Sequence, residues 1–160
     1  MTASALALPV HLAGSVLDRK RHVCAFFHSR DEEYRVLMPF ILEGFERGDR
    51  AVHIVDPEHR DAHLERLRAG DVDTDAAEAR GQLVVLRWED AYLRGGHFDQ
   101  NAMLALIEEV LREGRAKGFP LTRLVANMEW ALEDRPGVAD IVEYETRLNF
   151  VLPRYDDAVT

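Results

Sequence analysis

The sequence lacks the features that would place it in several large classes of protein. Its one cysteine, Cys24, cannot form a disulfide within the chain. No uninterrupted run of about eighteen apolar residues is present, so no membrane span is expected. Lys and Arg are not clustered, and the net charge of −9 argues against a surface that follows the phosphates of a nucleic acid. We therefore expect a cytoplasmic protein that binds neither a membrane nor a nucleic acid directly.

Glycine and lysine are missing from the place where a nucleotide-binding protein needs them. The first apolar run is followed by HSRDEEYR. A phosphate cradle needs glycines for close backbone approach and a lysine for the terminal phosphates. The dinucleotide pattern G-x-G-x-x-G is absent as well. These absences argue against bound phosphate, and we expect no cofactor.

The remaining pattern is that of one α/β domain. With 47% hydrophobic residues, 160 residues are enough for one core. Short apolar runs predict strands at residues 22–28, 51–56, 82–88 and 121–128. Amphipathic patterns predict helices from Ser29 to Gly48, from Pro57 to Gly70, over residues 99–118 and over residues 138–152. Because strands and helices alternate, we expect a three-layer fold in which a mainly parallel sheet is covered by helices on both faces.

The two ends of the chain show weaker patterns. Residues 1–19 have no clear period, so they are predicted to be an irregular arm, with the domain itself at residues 20–160. The final DDAVT is typical of the beginning of a short strand. Two helices have clear apolar stripes, which predict the side that faces the core. These stripes are Leu37, Phe40, Ile41, Gly44 and Phe45 in the first and Met103, Leu106, Ile107, Val110 and Leu111 in the third.

A candidate binding site follows from the ends of the predicted strands. In an open parallel sheet, ligands bind beyond the carboxyl ends of the strands. The side chains expected there are His28, Asp56, Trp88, Glu89, Tyr92, Met128, Glu129 and Trp130. They predict an aromatic-walled pocket for a small molecule, which stacks on Trp88 and Trp130 and is oriented by His28, Glu89 and Glu129. The alternative is that the tryptophans seal the core and the glutamates cap helices.

Metal binding and catalysis are weaker hypotheses. His22 and Cys24 could chelate together, and His59 and His63 are spaced as ligands on one helix face. No set of three or four ligands is visible, so we expect no metal, and both pairs stay open. Cys24 is predicted to be a small buried side chain, and the helix with His59 and His63 to be solvated. Without a G-x-S-x-G turn, the remaining catalytic hypothesis is an acid/base pair of Glu89 and Glu129, and we expect no enzyme.

Several separated segments resemble one family. HVCAFFHSRDEEYRVLMPFILEGFERGDRAVHIVD, WEDAYLRGGHFD, NMEWALED and EYETRLNFVLPRY, in this order, resemble the MEDS domain, a sensory module named after methanogens, methylotrophs and the regulator DcmR. The resemblance runs from about His22 to the C-terminus. It implies a RecA- or KaiC-like fold without a phosphate loop, used as an input domain of regulators. No residue-level site assignment comes with it.

The resemblance also implies partners. The family is thought to recognise hydrocarbon derivatives, so we expect a small apolar ligand and a regulatory output protein or domain. Since no output segment is visible, we expect either a stand-alone sensor or an input domain of a longer protein. The alternative function is a protein-protein interaction module, for example a homodimer, built on a degenerate nucleotide-binding fold.

Overall fold

The computed structural model describes residues 9–17, 21–155 and 158–159. It begins with an antiparallel hairpin of β1 (Val10–Leu12) and β2 (Ser15–Leu17). The prediction of an irregular arm is therefore wrong for this part, and the rest of the arm lies outside the described residues. The hairpin is held because Val10 is fully buried and because the backbone N–H of His11 donates to the Glu43 carboxylate at 3.2 Å.

Helices and strands alternate along the rest of the chain, as predicted. The helices are α1 (Arg30–Arg47), α2 (Arg60–Ala69), α3 (Thr74–Ala79), α4 (Gln100–Ala116) and α5 (Ile141–Val151). The strands are β3 (Arg50–Val55), β4 (Leu83–Arg87), β5 (Thr122–Ala126) and β6 (Ala158–Val159). Short 3-10 turns occur at Pro57–His59, Trp88–Asp90, Arg94–Gly96, Glu129–Leu132, Val138–Asp140 and Leu152–Arg154.

The limits of α1 follow from its capping residues. The Ser29 side chain accepts a hydrogen bond from the backbone N–H of Glu32 at 3.2 Å, and acidic residues fill the first turn, where the helix dipole favours negative charge. The helix ends at Gly48, whose φ of 76° is left-handed and favours glycine. Both predicted ends of this helix are confirmed.

Four strands form a parallel sheet in the order β4-β3-β5-β6. β3 lies in the middle and pairs with β4 on one side and with β5 on the other. Helices cover both faces, so the predicted α/β architecture is confirmed. The C-terminal residues 158–159 pair with Thr122 and Arg123 of β5, which confirms the predicted short strand.

Residues 22–28 differ from the prediction. They were expected to form the first strand, but residues 21–27 are neither helix nor strand. Phe26 is 94% exposed, and Val23 and Cys24 are exposed as well. In the described part of the chain, β6 pairs with β5 only at Thr122 and Arg123, so residues 124–126 pair with β3 alone and keep an open outer edge.

Two apolar cores lie on opposite faces of the sheet because alternate residues of a strand point to opposite sides. On one face, Val52, Ile54 and Leu124 pack with the apolar stripe of α4 and with Tyr144 and Leu148 of α5. On the other face, Ala51 and Leu83 pack with residues of β1, α1, α2 and α3. Both predicted stripes, on α1 and α4, face these cores.

Among the helices of the described residues, none is long and apolar enough to cross a membrane.

Candidate functional site

A large cavity lies along the open edge of β5. Its volume is about 560 Å³. One part of its wall is the irregular segment of residues 22–30, and other parts come from β3, β5, α4 and α5. The wall is mainly apolar, and Val52, Ile54, Leu124 and Ala126 of the sheet all contribute to it. Residues 22–28, which the sequence predicted to form a strand, thus form a wall of this cavity instead.

Four of the predicted site residues line this cavity, and they are His28, Tyr92, Met128 and Glu129. Glu129 is exposed, and its carboxylate accepts a hydrogen bond from Arg30 at 3.0 Å. Tyr92 is 4% exposed, and burial raises the pKa of its hydroxyl, which keeps the ring neutral. The tyrosine therefore contributes an apolar ring to the wall, and the carboxylate contributes charge at the mouth.

The two tryptophans lie behind the wall. Trp130 is fully buried and packs on Tyr92, with their ring centroids 5.0 Å apart. Trp88 is 8% exposed, and its indole N–H donates to the carbonyl oxygen of Asn127 at 3.0 Å. Tyr92 and Asn127 line the cavity, but neither tryptophan does. The tryptophans thus hold residues that line the cavity.

The remaining predicted residues are placed differently. Glu89 is exposed in the turn after β4 and does not line the cavity. Asp56 lines a second, much smaller cavity of about 20 Å³. There its carboxylate contacts Arg30 at 3.4 Å and His59 at 2.8 Å. Because Arg30 also binds Glu129, it links the ends of β3 and β5.

Three polar side chains form a chain at the smaller cavity: half-buried Tyr34 and buried His63 line it, and His53 is fully buried beside His63. The Tyr34 hydroxyl is 2.7 Å from Nδ1 of His63, and Nε2 of His63 is 2.8 Å from Nδ1 of His53. Burial lowers the pKa of His63 to about 4 and lowers that of His53 well below its usual value. Burial also raises the pKa of Tyr34 to about 12. All three groups are therefore neutral at pH 7, and the prediction of a solvated helix is wrong at His63.

A mixed cluster of side chains borders the large cavity. Nε2 of His22 is 3.0 Å from the carboxylate of Glu145, and the Cys24 thiol is 3.6 Å from the same carboxylate oxygen. Cys24 is exposed. The prediction that it is a buried side chain is therefore wrong, since the strand that would have buried it does not form.

Sequence reasoning missed several residues of these sites. Glu145 is separated from Cys24 by 121 positions, and Tyr34 from His63 by 29. Nothing in local spacing relates such pairs. Only the tertiary fold brings α5 beside residues 22–24, and α1 beside α2.

Comparisons with known proteins agree with the resemblance seen in the sequence. Residues 21–159 match the family described as MEDS, the MEthanogen/methylotroph, DcmR Sensory domain. The chain is 27% identical over 146 residues to the transcriptional repressor DcmR of Methylorubrum extorquens. This alignment covers 91% of the chain but 52% of the repressor, so the chain spans about half the length of that relative. No solved structure gives a significant match.

The family match includes the elements that form the large cavity. Residues 22–30, β5 and α5 all lie within the matched range, and of the lining residues only Leu12 lies outside it. Apart from Leu12, the cavity therefore lies on the part of the chain that matches the family. The chain belongs to the MEDS family of sensory domains.

Proposed function

We propose that this chain is a non-catalytic sensory domain whose large cavity binds a small, largely apolar molecule. The observation that carries the proposal is the cavity of about 560 Å³ at the open edge of β5. Small-molecule sites commonly measure about 300–1,000 Å³ and have mainly apolar walls with a few polar groups. The family description and the regulatory relative support a sensory role.

The wall favours an apolar ligand with one polar group. Val52, Ile54 and Leu124 supply aliphatic surface deep in the cavity, whereas His28 and Glu129 are exposed. A hydrocarbon derivative would bury its carbon skeleton against the sheet and orient its polar group toward these side chains. Burial of apolar surface supplies about 25 cal/mol per Å², so a small skeleton can bind without a dense set of hydrogen bonds.

The predicted aromatic residues have an indirect part in this proposal. Tyr92 contacts the ligand, and Trp130 positions Tyr92 by packing against its ring. Trp88 positions Asn127 through the bond to its carbonyl oxygen. Asp56 and Glu89 then have no direct contact with the ligand in the large cavity, although Asp56 holds Arg30 beside Glu129.

Signalling requires that the ligand bind one conformation better than another, since only differential affinity shifts an equilibrium. Residues 22–28 are the candidate moving part because they line the cavity and belong to no strand. The open edge of β5 lies beside the same cavity. A change in how this segment lies against β5 would alter a surface that an output protein or domain can recognise.

We infer the kind of system in which this chain acts from its relative DcmR. DcmR is a transcriptional repressor, and we propose that this chain likewise serves as an input domain of a regulatory system in the cytoplasm. The parallel sheet with helices on both faces supports a RecA- or KaiC-like fold, with the sensory domain at residues 20–160.

Filling the cavity tests the proposal. Ala126 lies on β5, is half-buried and lines the cavity. The probe is anilinonaphthalene sulfonate, a dye that fluoresces in apolar sites, and short alcohols, alkanes and halogenated alkanes are then tested for displacement of it. We expect Ala126→Phe to lower the affinity for the dye at least about tenfold, or about 1.4 kcal/mol, because the new ring occupies the binding volume.

The matched control is Ala105→Phe, since Ala105 is an exposed residue of α4 that does not line the cavity. It should leave the affinity unchanged. Circular dichroism and the thermal midpoint establish that both variants are folded. Equal dye affinity in wild type and a folded Ala126→Phe would refute a binding site in this cavity.

A second function, an interaction module, is favoured by one observation. Val142 and Phe150 of α5 are 73% and 70% exposed, although both are large apolar side chains. Such residues are enriched at protein interfaces. Sedimentation equilibrium distinguishes the two functions: a stable dimer together with no dye or small-molecule binding would favour the interaction module.

A further inference from the structure

Three side chains of different chemistry converge beside the large cavity. His22 and Cys24 come from the irregular segment, and Glu145 comes from α5. One ligand atom of each, a ring nitrogen, a sulfur and a carboxylate oxygen, lies within 4.8 Å of the others. Within the described part of the chain, this is the one such group of three His, Cys, Asp or Glu side chains.

We propose that His22, Cys24 and Glu145 form a binding site for a divalent transition metal, with zinc as the preferred ion. Imidazole nitrogen, thiolate sulfur and carboxylate oxygen are all established zinc ligands. Calcium and magnesium prefer oxygen ligands throughout, and this site offers oxygen from one side chain only. The donor set therefore selects a metal of the zinc type.

The distances between the ligand atoms suit this ion. Zinc binds nitrogen and oxygen at about 2.0 Å and sulfur at about 2.3 Å, so neighbouring ligand atoms in a tetrahedral site lie roughly 3.3–3.6 Å apart. Nε2 of His22 is 3.0 Å from Oε2 of Glu145, and Sγ of Cys24 is 3.6 Å from that oxygen. Since all three ligand atoms lie within 4.8 Å of one another, adjustments of the side chains would place one ion among them.

An outer hydrogen bond already orients the imidazole. Nδ1 of His22 lies 3.1 Å from Oδ1 of Asn149, while the Asn149 amide nitrogen donates to the backbone oxygen of Glu145 at 3.2 Å. The amide oxygen thus faces His22 and accepts from Nδ1, which leaves the Nε2 lone pair for a metal. A ligating histidine commonly donates its other N–H to such a partner.

The cluster lies in the wall of the large cavity, where a bound metal would connect two separate parts of the chain. All three side chains line the large cavity, so the ion would form part of its wall. It would also join residues 22–24 to α5, two parts of the chain that are 121 positions apart at Cys24 and Glu145. Three protein ligands leave a fourth position for water, as in zinc sites that remain open to small molecules. Metal binding itself does not depend on the proposed organic ligand.

Cobalt spectroscopy provides the test, because Co²⁺ replaces zinc and gives a thiolate-to-metal charge-transfer band. The full chain is reduced, stripped of metal with a chelator and titrated with Co²⁺. Cys24 is the one cysteine of the sequence, so such a band can come from no other residue. We expect the band to saturate at about one Co²⁺ per chain and to disappear when Zn²⁺ displaces the cobalt.

Three variants test the individual roles, with Zn²⁺ affinity measured by calorimetry. Cys24→Ser should abolish the cobalt band, and both Cys24→Ser and Glu145→Gln should weaken zinc binding by more than about 100-fold. Asn149→Ala should weaken it by about 10- to 100-fold, the usual effect of removing an outer hydrogen-bond partner. Zn²⁺ should raise the thermal midpoint of the wild type and not that of Cys24→Ser, because a ligand stabilises the fold it binds.

His97→Ala is the control, since His97 is an exposed histidine outside the cluster. It should leave zinc affinity unchanged. The proposal is overturned if the wild type gives no charge-transfer band, if folded Cys24→Ser binds Zn²⁺ as tightly as the wild type, or if His97→Ala weakens binding as much as Cys24→Ser does.

Discussion

The two ends of the sheet are built differently. At the amino end, Arg50 and Arg123 are each 2% exposed and are held by ion pairs. At the carboxyl end and along the outer edge of β5, the described residues enclose a cavity of about 560 Å³. The amino end is therefore held by buried ion pairs, whereas the carboxyl end leaves the space in which we propose that a ligand binds.

The buried arginines connect the sheet to both helical layers. Arg50 donates to the Val110 carbonyl oxygen and to Glu113, both on α4. On the other face, Arg123 donates to the Phe40 carbonyl oxygen of α1 and to Asp49. Each guanidinium therefore holds a helix against the sheet. At the carboxyl end Arg30 is the corresponding cation, and its partners are Asp56, whose side chain is 12% exposed, and Glu129, whose side chain is 50% exposed.

The substitution Arg123→Met is expected to lower the free energy of unfolding the most. It leaves the Asp49 carboxylate, which is 2% exposed, without its closest cation at 2.8 Å. Breaking a buried ion pair by removing one partner typically costs about 3–5 kcal/mol, which should appear as a lower free energy of unfolding in urea. The control is Arg154→Met, whose exposed pair with Glu108 at 3.8 Å should contribute less than about 1 kcal/mol. Equal losses in both variants would contradict the assigned role of the amino end.

Lowering the pH is expected to have an intermediate effect on the free energy of unfolding. The unfolded chain binds protons on histidine at a pKa of about 6.5, whereas folded His63 has a pKa of about 4 and that of His53 is also lowered. Between these values the unfolded state binds more protons, so stability is complete above about pH 6.5 and falls as the pH drops toward 4. Each histidine contributes up to about 1.4 kcal/mol per pH unit.

Urea unfolding of the wild type and of His63→Gln between about pH 5 and pH 7 measures how the free energy of unfolding depends on pH. The variant should be less stable at pH 7, because it disturbs the bonds to Tyr34 and His53, but its stability should depend less steeply on pH. His97→Gln should keep the wild-type slope, since His97 is exposed. An unchanged slope in His63→Gln would mean that the pKa of His63 is the same in the folded and the unfolded chain, which would contradict its lowering by burial.

The substitution Arg30→Gln is expected to lower the free energy of unfolding the least. Arg30 and Glu129 are one third and one half exposed, and Asp56 keeps its contact with His59 when Arg30 is lost. Exposed ion pairs contribute about 0–1 kcal/mol, so the free energy of unfolding should fall by less than about 1 kcal/mol. A loss as large as that of Arg123→Met would remove the distinction between the two ends.

Much of the fold could be predicted because its signals are local. The cap at Ser29, the left-handed glycine at Gly48 and the apolar stripe of α4 each depend on residues within a few positions of one another. The same reasoning predicted β3, β4 and β5 within one or two residues of their observed ends. It failed for residues 22–28, since an apolar run cannot show whether a neighbouring strand edge will pair with it.

The candidate site was less predictable. Four residues were selected because each follows a predicted strand, and they do line the cavity: His28, Tyr92, Met128 and Glu129. The same criterion selected Trp88 and Trp130, whose large rings are buried behind that wall. Position in the chain places a residue at an edge of the sheet, but side-chain packing decides whether its ring lines the cavity or fills the core.

The sequence by itself determined the alternation of helices and strands, the apolar faces and the absence of a phosphate loop, because these depend on local composition and spacing. Only the tertiary structure decided that the described residues leave the edge of β5 open beside residues 22–28 and that His22, Cys24 and Glu145 meet. It also decided that His53 and His63 lie buried and neutral. The reason is physical: these features arise from contacts between distant segments, and burial then sets their charge.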